Sequence, residues 1–280
     1  MPTIKELLKK RKLIACPLVY DALSARICEM VGYEVAYISG SSMHASGFAL
    51  PDVGLLTMTE VLDRTRAIVQ AVNIPVVCDV DTGFGGINNI RRMVMEFEAA
   101  GVSCVHIDDQ AFPPRGSSMP GKGVISVDEF LPKLRAIVET RKSEDFLILA
   151  RTDCKETMGM DEVIRRLNIY ADHGADLALG TYHSIEEHKR MAKEVKIPLV
   201  ASAGLNDIDI TLEEWEAFGV RMLEVFHVPY LASIKAIKKS MTLLKTKGTV
   251  AEMKDEFATR EELKEILAID EWLKHAEKWS

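Results

Sequence analysis

Short apolar runs alternate along this chain with longer stretches in which apolar residues recur at helical spacing. The runs are continuously apolar, which is typical of parallel strands whose outer face is covered by helices. The intervening segments, such as TEVLDRTRAIVQAV and VDEFLPKLRAIVET, carry apolar residues at i, i+3, i+4 and i+7. The predicted strands are LIACP at 13–17, VAYIS at 35–39, PVVCD at 75–79, CVHID at 104–108, FLILART at 146–152, LALG at 177–180, PLVAS at 198–202 and MLEVF at 222–226.

Glycine separates a helical segment from the following strand in MVGYEV, AAGVSC, HGADLA and AFGVRM. Glycine at this position readily takes the left-handed conformation that ends a helix. Eight strand–helix alternations in 280 residues predict an α/β fold, a (β/α)8 barrel of TIM type. A doubly wound parallel sheet is the alternative.

The helical pattern continues beyond the eighth unit. PYLASIKAIKKSMTLLKTKG predicts the eighth helix, and residues 250–280 add a C-terminal helical extension. Within it Thr259 and Glu262 have the spacing of a capping box. We therefore expect one barrel domain over 1–280 whose extension, 250–280, packs on a neighbouring subunit.

Composition and charge limit the binding partners and the cellular compartment that we expect. The net charge is −7 and no basic patch stands out, so a nucleic-acid partner is not expected. No apolar run reaches the roughly 20 residues that span a bilayer, and the first residues lack the apolar core of a signal peptide. The five cysteines form no C-x-x-C pair, which predicts reduced thiols in a cytoplasmic protein with no membrane partner.

Candidate chemistry lies where the predicted strands end, because a barrel presents its functional groups at the carboxyl ends of its strands. Asp79, Asp81, Asp108 and Asp109 follow strands 3 and 4, and Arg151 lies at the end of strand 5. Carboxylates without cysteine or histidine partners favour Mg²⁺, with Mn²⁺ as the alternative ion. Arg151 is suited to hold a substrate carboxylate through two hydrogen bonds. Helix or turn capping is the competing interpretation of each single aspartate.

Four motifs in the expected order carry a family resemblance: YISGSSMHASGFALPD, CDVDTGFGG, HIDDQ and ILARTD. With them the chain resembles the isocitrate lyase/phosphoenolpyruvate mutase superfamily, most closely its 2-methylisocitrate lyase branch. The resemblance implies a barrel whose eighth helix is swapped between paired subunits, commonly in tetramers built as dimers of helix-swapped dimers.

The resemblance also implies roles for individual residues. It implies Mg²⁺ held by Asp79, Asp81 and Asp108 with water, where Asp108 replaces the usual glutamate of the family. The other expected site residues are those that should lie next to the bound carboxylate substrate. The substrate-binding set is Ser39, Gly40, Ser41, Asp52, His106 and Arg151, and the catalytic set is Tyr37, Ser117, Arg151 and His227.

The loop FPPRGSSMPGKGVIS, residues 112–126 and hereafter the lid loop, departs from the family pattern. Lyases of the family carry Lys-Arg-Cys-Gly-His there, and in this chain Gly116 stands at the cysteine position and Ser118 at the histidine position. Arg115 and Lys122 are kept. Thr181 and Ser202 replace a glutamate and an asparagine that follow strands 6 and 7 in the family. We expect Gly116→Ala to cost little beyond loop flexibility.

A lid loop without a thiol lacks the acid that protonates a leaving carbanion, whereas CO₂ leaves without needing a proton. This favours a Mg²⁺-dependent carbon–carbon lyase or decarboxylase that acts on a small 2-oxo or 2-hydroxy dicarboxylate, such as oxaloacetate, through a pyruvate enolate. Phosphonopyruvate hydrolase or mutase chemistry and cleavage of methylisocitrate or dimethylmalate are the alternatives. A carboxylate-binding protein without turnover is the alternative from another class.

Overall fold

Eight parallel strands form a closed barrel, in chain order, in a computed structural model that describes residues 1–116, 119–225 and 227–279. All eight predicted strands are present, which confirms the (β/α)8 barrel. Their bounds are β1 Ile14–Val19, β2 Ala36–Ile38, β3 Val76–Asp79, β4 Cys104–Asp108, β5 Leu147–Thr152, β6 Leu177–Gly180, β7 Leu199–Ala203 and β8 Met222–Val225.

Helices follow the strands as the apolar spacing predicts, and the four glycines noted above all have positive φ. Most helices begin at a Ser, Thr or Asp whose side chain accepts a hydrogen bond from the first turn, as at Thr57 and Ser126. The α-helices are α1 Ile4–Lys10, α2 Ala22–Val31, α3 Gly40–Phe48, α4 Met58–Ala71, α5 Ile87–Ala99, α6 Val127–Thr140, α7 Lys155–Met158, α8 Met160–Asp172, α9 Ile185–Glu194, α10 Leu212–Ala217, α11 Val228–Lys247, α12 Arg260–Ile266 and α13 Ile269–Glu277. Two short 3₁₀ turns cover Leu205–Asp207 and Ala251–Glu256.

Two apolar layers make up the barrel core. Alternate strand residues, such as Leu18, Val77 and Leu149, fill the barrel interior, while the residues between them pack against the helices. Because side chains alternate along a strand, this period decides which strand-end residues reach the mouth. Cys104 lies in the interior cluster, so His106 and Asp108 point inward as well.

A buried ion pair anchors the end of β4 to α8. Arg166 Nη1 donates to Asp109 Oδ2 at 2.8 Å and to the backbone oxygen of Ile125 at 2.8 Å. Tyr170 donates its hydroxyl to the same carboxylate oxygen at 2.8 Å. The other Asp109 oxygen accepts the backbone N–H of Asp153 at 3.3 Å. Asp109 therefore joins β4, the loop after β5 and the last residues of the lid loop.

The chain divides into two compact units, Met1–Val228 and Pro229–Ser280. The predicted extension, 250–280, lies within the second unit, which also holds almost all of α11. Helix α11 contains no buried residue and exposes Ile234, Ile237, Met241 and Leu244 along one face. The capping box predicted for Thr259 and Glu262 is confirmed at the start of α12. Among the described residues, no helix is both long and apolar enough to cross a membrane.

We predict that Asp109→Ala destabilises the barrel strongly. Its side chain is 0% exposed and that of Arg166 is 3% exposed, so the substitution leaves a buried charge without its partner. The expected loss is about 3–5 kcal/mol in the free energy of unfolding, measured by urea denaturation. Arg165→Ala removes an exposed ion pair one residue away and should cost less than about 0.5 kcal/mol. Equal unfolding midpoints for the two variants would contradict this role of Asp109.

Candidate active site

A small cavity of about 40 Å³ lies at the carboxyl ends of the strands and gathers most of the predicted site residues. It is therefore the centre of the candidate site. The predicted residues that line it are Tyr37, Ser39, Ser41, Asp52, Asp79, Asp81, His106, Asp108 and Arg151. Ser117, which we assigned a catalytic role, lies outside the described residues.

The start of α3 forms one side of this cavity. Ser39 caps the helix by accepting the backbone N–H of Ser42 at 3.2 Å. Gly40 donates its backbone N–H to Asp79 Oδ2 at 3.4 Å. A Cβ atom at Gly40 would lie 2.9 Å from the same oxygen, so the approach of α3 to Asp79 requires glycine. The helix start thereby offers N–H groups and its positive dipole end to a carboxylate.

Four aspartates line the same cavity. Burial, and next the charge of Asp79, raises the pKa of Asp81 well above its usual range. Burial and then Asp79 also raise the pKa of Asp52 to about 6. These carboxylates lack enough positive charge nearby, and their oxygen donors are those that Mg²⁺ prefers. The residues therefore fit a hard divalent cation.

Asp79, Asp81 and Asp108, expected to hold Mg²⁺ with water, do not form a closed ligand cage. Within the described ranges, no three His, Cys, Asp or Glu side chains are arranged so that they could together hold a metal ion. Asp79 Oδ1 accepts the backbone N–H of Asp81 at 3.0 Å. Mg²⁺ commonly binds through one or two carboxylates and keeps several waters. This arrangement fits an ion held largely through water by Asp79, Asp81 and Asp108.

A polar chain crosses the floor of the cavity from Tyr37 through His106 to Asp108. The Tyr37 hydroxyl lies 2.9 Å from His106 Nδ1. His106 Nε2 lies 2.9 Å from Asp108 Oδ1, without an aligned hydrogen bond. Burial lowers the pKa of His106, but Asp108 more than offsets this and raises it. Burial raises the pKa of Asp108, but Arg151 and then His106 outweigh it and lower that pKa to about 2. His106 and Asp108 therefore form an ion pair beside the cavity.

Arg151 is held in place by Asp153. Its Nε and Nη2 donate to Asp153 Oδ1 at 3.3 and 3.0 Å, and its Nε lies 3.9 Å from Asp108 Oδ1. Burial lowers the pKa of Arg151, but Asp153 and Asp108 outweigh burial and raise it well above its usual range. A permanent, fixed positive charge is therefore available for a substrate carboxylate.

One expectation does not match the geometry. Asp109 points away from the mouth, because it follows the inward-facing Asp108 and so lies on the other face of the strand end. His227 is not among the residues that line the small cavity, but its ring nitrogens contact Ser41 Oγ at 3.0 Å and Ser42 Oγ at 2.6 Å at the start of α3. A catalytic role for His227 stays a prediction.

The described part of the lid loop covers the cavity. Arg115 and Gly116 line it, and the Gly116 N–H donates to the backbone oxygen of Asp52 at 3.0 Å. A Cβ atom at residue 116 would lie 2.8 Å from Asp52 Oδ2 and 3.2 Å from Asp52 Cβ. The expectation that Gly116→Ala costs little beyond loop flexibility stays a prediction, and the structure adds that the methyl group would have to displace the Asp52 side chain or the loop.

A second cavity of about 580 Å³ opens beside the first, at the ends of β5 to β7. Arg151, Lys122, Thr181 and Ser202 line it, together with Tyr182 and the turn after β7. Thr181 Oγ1 donates to Asp153 Oδ1 at 2.6 Å. Lys122 Nζ lies 3.5 Å from the same oxygen, and the lysine side chain is only 8% exposed. A substrate can therefore extend from the small cavity into a roomier, positively charged one.

Sequence reasoning missed three residues of the site: Gln110, Asp153 and Glu224. Gln110 donates from Nε2 to Asp108 Oδ2 at 3.0 Å and to Asp153 Oδ2 at 2.8 Å. Its Oε1 accepts the backbone N–H of Arg115 at 2.9 Å, so it ties the lid loop to both carboxylates. Glu224 lines the small cavity from β8. For Glu224, the available signal in the sequence was a charged residue within an otherwise apolar strand.

Comparison with known proteins agrees with this geometry. The family model described as phosphoenolpyruvate phosphomutase matches residues 4–245. The 2,3-dimethylmalate lyase of Eubacterium barkeri is 34% identical over 271 residues, covering 95% of this chain and 93% of that protein. The 2-methylisocitrate lyase of Aeropyrum pernix is 33% identical over 275 residues, covering 97% of this chain and 88% of that protein.

Two solved structures are similar over nearly the whole chain. Oxaloacetate acetylhydrolase in complex with the inhibitor 3,3-difluorooxalacetate has a TM-score of 0.92 at 30% identity, covering 99% of this chain and 95% of that one. Phosphonopyruvate hydrolase in complex with oxalate and Mg²⁺ has a TM-score of 0.85 at 27% identity, covering 95% of this chain and 93% of that one.

We predict that Gly116→Ala loosens the lid loop. The added methyl group must displace either the loop or Asp52, so the loop opens more often. Trypsin cleavage after Arg115, followed by mass spectrometry, should become about five- to tenfold faster, which corresponds to roughly 1–1.4 kcal/mol of opening free energy. Gly123→Ala is the matched control, since its Cβ would make an ordinary contact at 3.6 Å with Ala111. Equal cleavage rates for both variants and the parent would refute the packing argument.

Proposed function

The chain belongs to the phosphoenolpyruvate mutase/isocitrate lyase superfamily, and we propose that it is a Mg²⁺-dependent carbon–carbon lyase acting on a small 2-oxo or 2-hydroxy dicarboxylate through a pyruvate enolate. Oxaloacetate is the simplest such substrate. One observation carries the proposal: the four aspartates, Arg151 and the start of α3 meet in one cavity from which a loop side chain is excluded.

Substrate binding follows from the charges. Arg151 and the N–H groups of Ser41 and Gly40 at the start of α3 receive the carboxylate next to the 2-oxo group. His227 keeps Ser41 in place and so acts as a positioning residue. Mg²⁺, bound by the aspartates largely through water, supplies positive charge where the enolate oxygen develops. Tyr37, fixed by His106, borders the same oxygen with its hydroxyl.

The bond that breaks is set by the missing acid. In oxaloacetate the C3–C4 bond breaks, its electron pair moves to the C2 carbonyl to form the enolate, and C4 leaves as CO₂. No proton has to reach the leaving fragment, which suits a lid loop with glycine at residue 116. The lid loop excludes water while the enolate exists.

The residues that line the larger cavity indicate the chemistry of the distal part of the substrate. Lys122 and Arg151 both line it beside the Asp153 carboxylate, and Asp207 lies at its rim. Burial, and next Arg151, lowers the pKa of Lys122. An anionic distal group can pair with the Lys122 and Arg151 side chains, which supports a dicarboxylate. The same cavity has room for the substituents of dimethylmalate or methylisocitrate, and a phosphonate is the other anion it accommodates.

We also propose that two copies of the chain pair through α11. The apolar residues Ile234, Ile237, Met241 and Leu244 lie three or four residues apart and are 40 to 66% exposed. Within the barrel unit, α2 exposes Leu23, Ile27 and Met30 in the same spacing, 41 to 48% exposed. A second copy of the chain supplies a matching apolar face to each, as in helix-swapped dimers. Assembly of such dimers into tetramers and a cytoplasmic location remain predictions.

We predict that the purified protein releases pyruvate from oxaloacetate with Mg²⁺ and not with EDTA. Pyruvate is measured by coupling to lactate dehydrogenase, corrected for the uncatalysed decay of oxaloacetate. Phosphonopyruvate, methylisocitrate and 2,3-dimethylmalate are tested beside it. Asp79→Asn should lower the rate at least about 100-fold, because it removes a charge that holds the ion.

Asp172→Asn is the matched control, because it neutralises an exposed carboxylate that pairs with Lys196 and lines neither cavity. Faster release from one of the other three substrates would reassign the bond that is broken. Ligand binding without turnover of any of them would establish a carboxylate-binding protein instead.

A second prediction concerns assembly. Ile237→Lys with Met241→Lys places two charges in the proposed interface, and light scattering at micromolar concentration should then give the mass of a monomer. Ala236→Lys adds charge to the same helix about 100° around its axis from Ile237 and should leave the oligomer intact. A parent protein that is already monomeric would disprove pairing through α11.

A further inference from the structure

Glu224 is a buried carboxylate that enters the candidate site from β8. Its backbone pairs with Cys16 of β1 and Ser202 of β7, and its side chain lies two residues beyond Met222 of the barrel interior. It therefore points inward, and it is 6% exposed and lines the small cavity. Nothing in the binding scheme proposed above uses this carboxylate.

The Glu224 carboxylate has no hydrogen-bond or ion-pair partner within the described ranges 1–116, 119–225 and 227–279. Its neighbours in the site differ in this respect. Asp79 accepts a backbone N–H, Asp108 accepts the amide of Gln110, and Asp153 holds Arg151. A buried polar group normally has a partner, because losing water without replacement costs free energy. An unpaired carboxylate that borders a cavity is arranged to meet a ligand.

Strand order places Glu224 across the barrel from the charged groups. Asp79 is the last residue of β3, Asp108 is the last residue of β4 and Arg151 lies near the end of β5, while β8 lies opposite β4 in a closed ring of eight strands. A pyruvate unit whose oxygens face those groups turns its methyl carbon, C3, toward the opposite wall. Glu224 is the titratable group that the small cavity presents on that wall.

We propose that Glu224 is the catalytic residue that exchanges a proton with C3 of the enolate, an inference that rests on the proposed function. After C3–C4 cleavage, the protonated Glu224 gives its proton to C3, the enolate electron pair forms the C3–H bond and the C2 carbonyl is restored. Water then reprotonates the carboxylate. In reverse, the Glu224 carboxylate removes a C3 proton from pyruvate and the electron pair returns to the C2 oxygen.

Other groups around the cavity are less suited to this step. Residue 116 has no side chain. The Tyr37 hydroxyl is engaged by His106, and burial followed by the charge of Glu224 raises the pKa of Tyr37 well above its usual range. His106 faces the ion pair with Asp108. Among the described residues that line the cavity, Glu224 is the one that combines an unpaired carboxylate with a place on the wall that C3 faces.

The reverse step supplies a test that needs no knowledge of the distal half of the substrate. Pyruvate is incubated with protein and Mg²⁺ in D₂O, and loss of the methyl proton signal is followed by nuclear magnetic resonance. The parent protein should exchange the methyl protons, and Glu224→Gln should lower the exchange rate about 100-fold or more, in the range typical of lost general acid–base catalysis. Glu224→Asp should recover part of the rate.

Oxalate binding separates a lost proton exchange from a damaged site. Oxalate resembles the planar enolate and has no C3, so its affinity, measured by calorimetry with Mg²⁺, should change less than about threefold in Glu224→Gln. Asp172→Asn is the matched control, because this exposed carboxylate pairs with Lys196 and lines neither cavity, and it should leave both exchange and oxalate affinity unchanged.

Three outcomes would overturn the inference. Glu224→Gln could keep full exchange, it could lose oxalate binding and exchange together, or the parent could bind oxalate without exchanging pyruvate protons. A parent protein that binds no oxalate in the presence of Mg²⁺ would overturn the proposed function itself, and this inference with it.

Discussion

Buried negative charge is the constraint on which the rest of this site depends. Five carboxylates line a cavity of about 40 Å³, and Arg151 and Arg115 are the guanidinium groups that line it with them. Carboxylates removed from water at such density raise one another's pKa values, as Asp52 and Asp81 show. The site reaches charge balance only with cations added to it. A divalent ion at the aspartates and fixed guanidinium groups beside them are one coherent solution.

The need to balance these buried charges also explains hydrogen bonds that could not be predicted from the sequence. Gln110 connects Asp108, Asp153 and the backbone of Arg115. A movement of the lid loop therefore disturbs the hydrogen bonds of two carboxylates. Asp153 in turn orients Arg151 and faces Lys122. Loop closure and charge balance are therefore coupled through a few hydrogen bonds, since neither carboxylate can turn without breaking them.

The barrel and most of its mouth followed from the pattern of apolar runs, because buried parallel strands and the residues at their carboxyl ends are local features. The direction of individual side chains could not be predicted where it depends on the alternation of residues along a strand. Asp108 and Asp109 are adjacent in sequence, yet one faces the cavity and the other pairs with Arg166. Glu224 was passed over as one charged residue in an apolar strand. The contacts of His227 with Ser41 and Ser42 could not be predicted, because these residues are remote in sequence.

Placing the proton donor on a strand instead of on the lid loop changes what the loop has to do. A thiol on a loop is in position only while the loop is closed, so closure and proton transfer are a single event. Glu224 stays in the barrel wall whether the loop is open or closed. The loop is then left with the exclusion of water, for which close packing of Gly116 on Asp52 matters more than any reactive side chain. Glycine at residue 116 and a glutamate on β8 are therefore two parts of one arrangement.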